Sequence, residues 1–226
     1  MTLDAVLLDV DFTLVWPQAV FDAAGYVALG ERVGATLDAG RYEAARHHAL
    51  HVWERSSLEH ASDEHARFAR EIVRGMGANE LEASQIGAVA EEEWSNPANF
   101  ALFDDVPPLF AALRERGLAI GLISNTSRDL SAFALALGIE ADFVLSSREH
   151  GRVKPCPTIF SAAIERAGTT TARALMVGDS VRDDIGGAEA VGLRAVLVDR
   201  TDRYPDHPGE RIRTLAELPQ LLSAVR

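Results

Sequence analysis

Ala5-Val6-Leu7-Leu8-Asp9-Val10-Asp11-Phe12-Thr13-Leu14 sets an unbroken apolar run directly before two aspartates spaced two apart. A short run with no polar face is what a strand covered on both sides requires. Its abrupt end at Asp9 places acids at the carboxyl end of that strand. Further runs repeat the pattern: Leu118–Ile123, Phe143–Leu145, Ala174–Val177 and Ala195–Val198. Between them stand helical patterns that stop at glycine: Pro107–Arg116 before Gly117, Leu130–Leu137 before Gly138, Pro157–Ala167 before Gly168, and Val181–Val191 before Gly192. Strand and helix thus alternate through the second half of the chain. That alternation predicts an open α/β fold with a mostly parallel sheet and right-handed crossovers.

The stretch 16–100 interrupts this rhythm. It has no convincing strand run and is rich in Ala, Glu, Arg and His at helical spacing, as in Tyr42–Arg46 and Glu64–Val73. Glycines at 30, 34, 40, 75 and 77 divide it into several helices, and Ser95-Asn96-Pro97 reads as the link back. No internal repeat or low-complexity tract is present. A length of 226 residues exceeds most single cores and falls short of two full-sized domains. The expected organisation is therefore a discontinuous α/β core domain, 1–15 and 101–226, with an all-helical cap domain, 16–100, inserted after the first strand.

Hydrophobic residues make up 47% and charged residues 25%, enough for a sizeable core. No run is long and apolar enough to span a membrane. The first residues carry acids where a secretory signal needs cations, so a cytoplasmic location is expected. One cysteine, Cys156, excludes an internal disulfide and a multi-cysteine metal site. A formal charge of −12 disfavours nucleic acid and anionic lipid, which both need clustered cations. Lys154 is the only lysine among the 22 basic residues, and the two cations are not interchangeable.

In open α/β sheets, ligands bind beyond the carboxyl ends of the strands. The residues there are Asp9, Asp11 and Thr13 after the first strand, and Ser124 and Asn125 after Leu118–Ile123. Lys154 precedes the helix that begins near Pro157. Gly178, Asp179, Ser180, Asp183 and Asp184 follow Ala174–Val177. Singly, each has an ordinary explanation as a turn former, helix cap or surface charge. Together they share one predicted edge. Asp9-Val10-Asp11-Phe12-Thr13 resembles the DxDxT nucleophile motif of the haloacid dehalogenase (HAD) superfamily. Leu122-Ile123-Ser124-Asn125 is similar to its second motif, Lys154-Pro155 to its third, and Gly178-Asp179 through Asp183-Asp184 to its acidic fourth. The order matches over the whole α/β part, and the insertion falls where the family carries helical caps.

The resemblance implies a Rossmann-like three-layer α/β core and a Mg²⁺-dependent phosphatase acting on a small phosphorylated metabolite. Asp9 would be the nucleophile, forming an aspartyl-phosphate that divides one hard step into two. Asp11, two residues on, would protonate the leaving alcohol and then activate water. By the same resemblance the metal would be held by Asp9, the Asp11 carbonyl and Asp179, with Asp184 in support. Ser124, Asn125, Lys154 and Thr13 would face the phosphate. Five acids against one lysine repel a phosphate dianion, so a divalent cation is a physical requirement of this reading. Either Asp183 or Asp184 fits the outer acid, and the run Ile185-Gly186-Gly187-Ala188 favours Asp184. Phe12 stands where the family often has Gly; a positive φ there would strain it.

A 2-haloacid dehalogenase, using the same Asp nucleophile without metal, is the enzymatic alternative, and Asp11 argues against it. A non-catalytic binding module on the same fold is the other, and such a module is expected to lose a motif. Phosphonate cleavage would need a cap lysine, which the chain lacks. A monomer and a homodimer fit the sequence equally. Among the other features, His47 and His51 stand i,i+4, a spacing that binds zinc, yet no third ligand is evident and an amphipathic helix explains them. His48, His60 and His65 complete that histidine-rich stretch. Cys156 reads as a packed or half-exposed thiol, and Trp16, Trp53 and Trp94 as packing residues of the cap and its links. Arg128, Arg148 and Arg152 read as surface cations near the strand ends.

Overall fold

The protein is represented by a computed structural model that describes residues 2–53, 55 and 57–224. In chain order the strands are β1 Ala5–Leu8, β2 Val15–Pro17, β3 Phe100–Leu102, β4 Ala119–Ser124, β5 Phe143–Ser146, β6 Ala174–Gly178, β7 Arg194–Val198 and β8 Glu210–Ile212. The helices are α1 Ala23–Arg32, α2 Tyr42–Trp53, α3 Glu64–Gly75, α4 Glu80–Ser95, α5 Val106–Glu115, α6 Leu130–Ala136, α7 Ser147–His150, α8 Pro157–Arg166, α9 Gly187–Ala190 and α10 Leu218–Ala224. The chain divides into two compact units. One comprises Met1–Trp16, Leu102–Asn125 and Gly138–Arg226; the other comprises Pro17–Ala101 with Thr126–Leu137.

The first unit is built on a six-stranded sheet in the order β5-β4-β1-β6-β7-β8, with every neighbouring pair parallel. It is a three-layer α/β fold. Alternation along each strand sends side chains to opposite faces. Ala5 and Leu7 join Ile123, Met176 and Leu197 under Ile159, Phe160 and Ala163 of α8. On the other side α5 packs on β4 and α10 on α5, burying Leu109, Phe110 and Leu113. Each fully buried Leu or Ile contributes about 1.5–3 kcal/mol. β1 lies centrally, between β4 and β6, and the Asp9 amide extends the ladder by donating to the Val177 carbonyl at 2.9 Å. That position sets Asp9 at the middle of the carboxyl edge.

The helices close at Gly117, Gly138, Gly168 and Gly192, each with positive φ. Two departures from the sequence reading have clear causes. Val181–Val191 is not one α-helix: Val181–Gly186 is a π-helical turn, in which the Ser180 carbonyl accepts from both Asp184 N and Ile185 N, followed by the short α9. Gly30 does not break a helix but lies within α1, where a Cβ would come within 3.0 Å of Leu37.

In the second unit α2, α3 and α4 pack successively. Asn79 opens α4 with a capping box to Glu82. Trp94 makes edge-on contact with Phe21 and Phe100 and stacks on His65 at 4.0 Å. Arg128, expected on the surface, is 2% exposed, with its guanidinium 3.7 Å from the Phe133 ring centre and 5.0 Å from that of Phe100. The aromatic faces around it make that burial favourable, and no local pattern announces such a cage. Arg148 and Arg152 are exposed as expected. Trp53 packs on Phe68, whereas Trp16 in the first unit is exposed.

Candidate active site

Three strand ends of the first unit and the turn beyond one of them converge on one cluster. Asp9 follows β1, Ser124 ends β4, Asp179 follows β6, and Asp184 sits in the π-helical turn beyond it. Carboxylate oxygens of Asp9, Asp179 and Asp184 lie within 4.8 Å of one another. Asp183, one residue away, stays outside this trio; its carboxylate takes a hydrogen bond from Arg182, and its amide donates to Ser180 Oγ. The π turn directs Asp184 inward, toward Asp9 and Asp179. The Asp184 carboxylate is anchored by the Ser180 amide at 3.0 Å.

Lys154 is 3% exposed, and its ammonium donates to Asp9 Oδ1 at 2.6 Å, Asp184 Oδ1 at 2.6 Å and the Ile123 carbonyl at 2.9 Å. Three donors meet three acceptors, so the group is saturated. Burial alone would lower the lysine pKa, but the Asp184 and Asp9 carboxylates outweigh it and hold the amine charged. Asp179 is pushed well above the usual carboxylate range by burial and by repulsion from Asp9 and Asp184. Repulsion that favours a proton on Asp179 is repulsion that a bound cation would relieve. An all-oxygen donor set of three carboxylates fits a hard divalent cation.

Ser124 is 1% exposed, and its hydroxyl has no hydrogen-bond partner among the described residues. A buried hydroxyl in that state is an available ligand for an incoming oxygen. Asn125 and Thr13, both expected to face phosphate, have protein partners at the site. The Asn125 carboxamide clamps the Lys154 backbone, donating to its carbonyl at 3.0 Å and accepting from its amide at 2.7 Å. Asn125 thereby fixes the lysine. Thr13 is fully buried and its hydroxyl faces Asp179 Oδ1 at 3.5 Å. Asp11 is half-buried at the mouth of the loop. Phe12 adopts φ 63 and is 48% exposed, the strained conformation that glycine would relieve.

A family model described as haloacid dehalogenase-like hydrolase matches residues 3–192. The chain belongs to that family. Among the relatives of this haloacid dehalogenase-like hydrolase is a ribulose-1,5-bisphosphate 5-phosphatase from Halopiger xanaduensis, 30% identical over 97% of this chain and 99% of that protein. A phosphoserine phosphatase from Thermus thermophilus is 31% identical over 89% of this chain and 80% of its own length. Among solved structures, a HAD phosphatase from Thermococcus onnurineus superposes with a TM-score of 0.68 at 27% identity, covering 97% of this chain and 98% of that one.

Gly178 shows how closely the hydrolase site is packed. A Cβ at that position would lie 2.3 Å from the Asp184 carboxyl carbon. Gly178→Ala must therefore displace Asp184 from Lys154. The variant is expected to lose about 1–3 kcal/mol of stability and most of its turnover; a melting curve and an activity assay check both.

The histidines of the second unit form no metal site among the described residues. His47, His48 and His51 are exposed on α2, and His65 is buried and held neutral, its pKa pushed down to about 3 by burial and by Arg128. Cys156 is half-exposed. Glu64, 8% exposed and 3.5 Å from His60 Nδ1, is pushed up to about 7 by burial, with Glu91 adding to the shift. Because the folded state then binds the proton more tightly than the unfolded chain, stability falls as pH rises from about 4.5 to 7. Glu64→Gln is expected to raise stability at pH 8 on the order of 2–3 kcal/mol and to change nothing near pH 4.5. Denaturant titrations at the two pH values give the comparison.

Proposed function

We propose that this chain hydrolyses a small phosphate monoester, with Mg²⁺ as cofactor and Asp9 as nucleophile. The observation that carries the proposal is the trio Asp9, Asp179 and Asp184, with Asp9 and Asp184 buried and paired to a single lysine. The metal, when bound by Asp9, Asp179 and Asp184 with the Asp11 carbonyl, neutralises phosphate charge and polarises the phosphoryl group.

The chain's own residues then perform two displacements. One Asp9 carboxylate oxygen attacks phosphorus as the ester P–O bond breaks, giving an aspartyl-phosphate, while Asp11 gives its proton to the leaving alkoxide. Asp11, now a carboxylate, takes a proton from water, whose oxygen attacks phosphorus as the P–O bond to Asp9 breaks, releasing inorganic phosphate and restoring the Asp9 carboxylate and the protonated Asp11. Lys154 holds Asp9 in line and supplies a fixed positive charge to a phosphoryl oxygen, and Ser124 donates its free hydroxyl. Asn125 and Thr13 act mainly by holding Lys154 and Asp179 in place.

The segment 16–100 is read as a cap domain inserted into a core of 1–15 and 101–226 and serving substrate selection, in a cytoplasmic enzyme. No helix among the described residues is long and apolar enough to cross a membrane. Phosphoserine, ribulose bisphosphate and other small phosphorylated metabolites are the first substrates to test, from the activities of the relatives. The dehalogenase alternative needs neither the surplus of carboxylates nor Asp11.

A phosphate-release screen over such esters with Mg²⁺, repeated with chelator, tests the reading against halide release from 2-chloropropionate without metal. Phosphate release that disappears with chelation is the expected result. Metal-independent halide release would replace the proposal with the dehalogenase, and activity in neither assay would favour a non-catalytic module.

A further inference from the structure

We infer that Arg200 is a positioning residue for the Asp9–Thr13 loop, acting through a clamp with Asp105 that no reacting group touches. The inference rests on the phosphatase reading of the site and adds to it what keeps its nucleophile loop in register.

Arg200 lies just beyond β7, two strands from β1 in the sheet. Its guanidinium grips Asp105 with both arms, Nη1 to Oδ2 at 2.8 Å and Nη2 to Oδ1 at 3.0 Å. The same Nη2 donates to the Thr13 backbone carbonyl at 2.8 Å. Its flat face lies 3.7 Å from the Phe103 ring centre. Asp105 Oδ2 also accepts from Thr214 Oγ1 at 2.5 Å and Leu215 N at 2.9 Å. Burial would raise the Asp105 pKa, but these hydrogen bonds and the Arg200 charge keep it below the usual carboxylate range. Both partners of the clamp are thus fixed charges, with side chains only 16% and 12% exposed.

The loop needs an outside anchor. Its internal hydrogen bonds run between backbone groups: Phe12 N to Val15 O, Leu14 N to Val10 O, and Val15 N to Val10 O. They enclose Phe12 at φ 63, a conformation that opposes the fold of the loop. Thr13, the next residue, is gripped at its carbonyl by Arg200 while its hydroxyl faces Asp179. A shift of that peptide would move Thr13 away from Asp179 and carry Asp9 and Asp11 with it. Lysine could supply the charge and three donors, but not the planar two-armed grip on Asp105 with a stacked face.

The test compares the wild type with Arg200→Met, Arg200→Lys and Asp105→Asn, well below each melting temperature. Two readouts are taken: kcat and KM for the best ester at saturating Mg²⁺, and amide hydrogen exchange of the peptide containing residues 10–15. Arg200→Met is expected to lower kcat about tenfold to a hundredfold with KM within about twofold, since misplacing a nucleophile by an ångström costs that much. Exchange in residues 10–15 should accelerate about tenfold or more while β1 and β6 stay protected. Arg200→Lys should recover only part of both. If Arg200→Met does not fold, Asp105→Asn, which keeps the shape and loosens the fork, carries the same expectations at smaller amplitude. Unchanged exchange in that loop overturns the inference, as does an unchanged kcat in an active enzyme. If the wild type turns over no ester, the phosphatase reading fails separately, and the exchange result alone decides the role of Arg200.

Discussion

Lys154→Met is expected to cost the protein both its activity and a large part of its stability. Methionine matches the lysine stem in length and flexibility, so the change deletes the ammonium with little disturbance of volume. What remains is Asp9, Asp184 and Asp179 without the cation that now sits 2.6 Å from the first two. Removing one partner of a buried pair leaves uncompensated charge and costs about 3–5 kcal/mol. In a domain of this size that corresponds to a fall of roughly 10 °C in melting temperature. The variant should also gain more from added Mg²⁺ than the wild type does, because a bound divalent cation then supplies the missing positive charge. Turnover should drop about a thousandfold, as expected when a preorganised donor to the reacting group is lost. Lys154→Arg should not rescue it: the planar fork cannot place three donors on Asp9, Asp184 and the Ile123 carbonyl, and its bulk overpacks a site only 3% exposed. Thermal melts with and without Mg²⁺, beside steady-state kinetics, read all of this.

Asp9→Asn should separate activity from stability. The amide cannot attack phosphorus, so turnover is expected to fall by about 10⁴ or more. The fold loses little. Asn keeps an oxygen that can accept from Lys154 Nζ, and removing one negative charge relieves the repulsion that raises Asp179. The melting temperature should therefore stay within about 3 °C of the wild type, a change of order 1 kcal/mol. A large loss of stability would mean that Asp9 serves chiefly as a structural partner of Lys154. Retained turnover would remove it from the chemistry.

The central sheet was legible because buried parallel strands are spelled as continuous apolar runs; β1, β4, β5, β6 and β7 all read that way. β8 was not, since Glu210-Arg211-Ile212 is an edge strand whose polar residues make ion pairs, Arg194 with Glu210 among them. β2 and β3 are three residues each, too short to show a period. The candidate site residues Asp9, Ser124 and Asp179 stand at or directly after strand ends, so they could be located by counting. Asp184 could only be preferred over Asp183 by resemblance. One residue of helical rotation separates them, and the π turn that directs Asp184 inward depends on the Ser180 carbonyl accepting two amides.

The Arg200–Asp105 clamp left no trace in the pattern. Asp105 reads as an ordinary helix-start acid before Pro107, and Arg200 as one arginine in an arginine-rich chain. Their partnership is a long-range contact between a strand end and a helix start. Arg128 misled for the opposite reason. A charged residue beside a strand end is usually solvated, and the aromatic faces that enclose it come from Trp94, Phe100 and Phe133, scattered along the sequence.

The most direct test of the account is to trap the covalent intermediate. Asp11→Asn removes the group proposed to activate water, while an ester with a good leaving group, such as p-nitrophenyl phosphate, needs no proton to depart. With Mg²⁺ present, acid quenching and peptide mass spectrometry of this variant should find one phosphoryl group on the peptide containing Asp9, together with a burst of nitrophenolate matching the enzyme concentration. Nitrophenolate released over many turnovers with no phosphoryl group on that peptide, or a phosphoryl group on another residue, would contradict it.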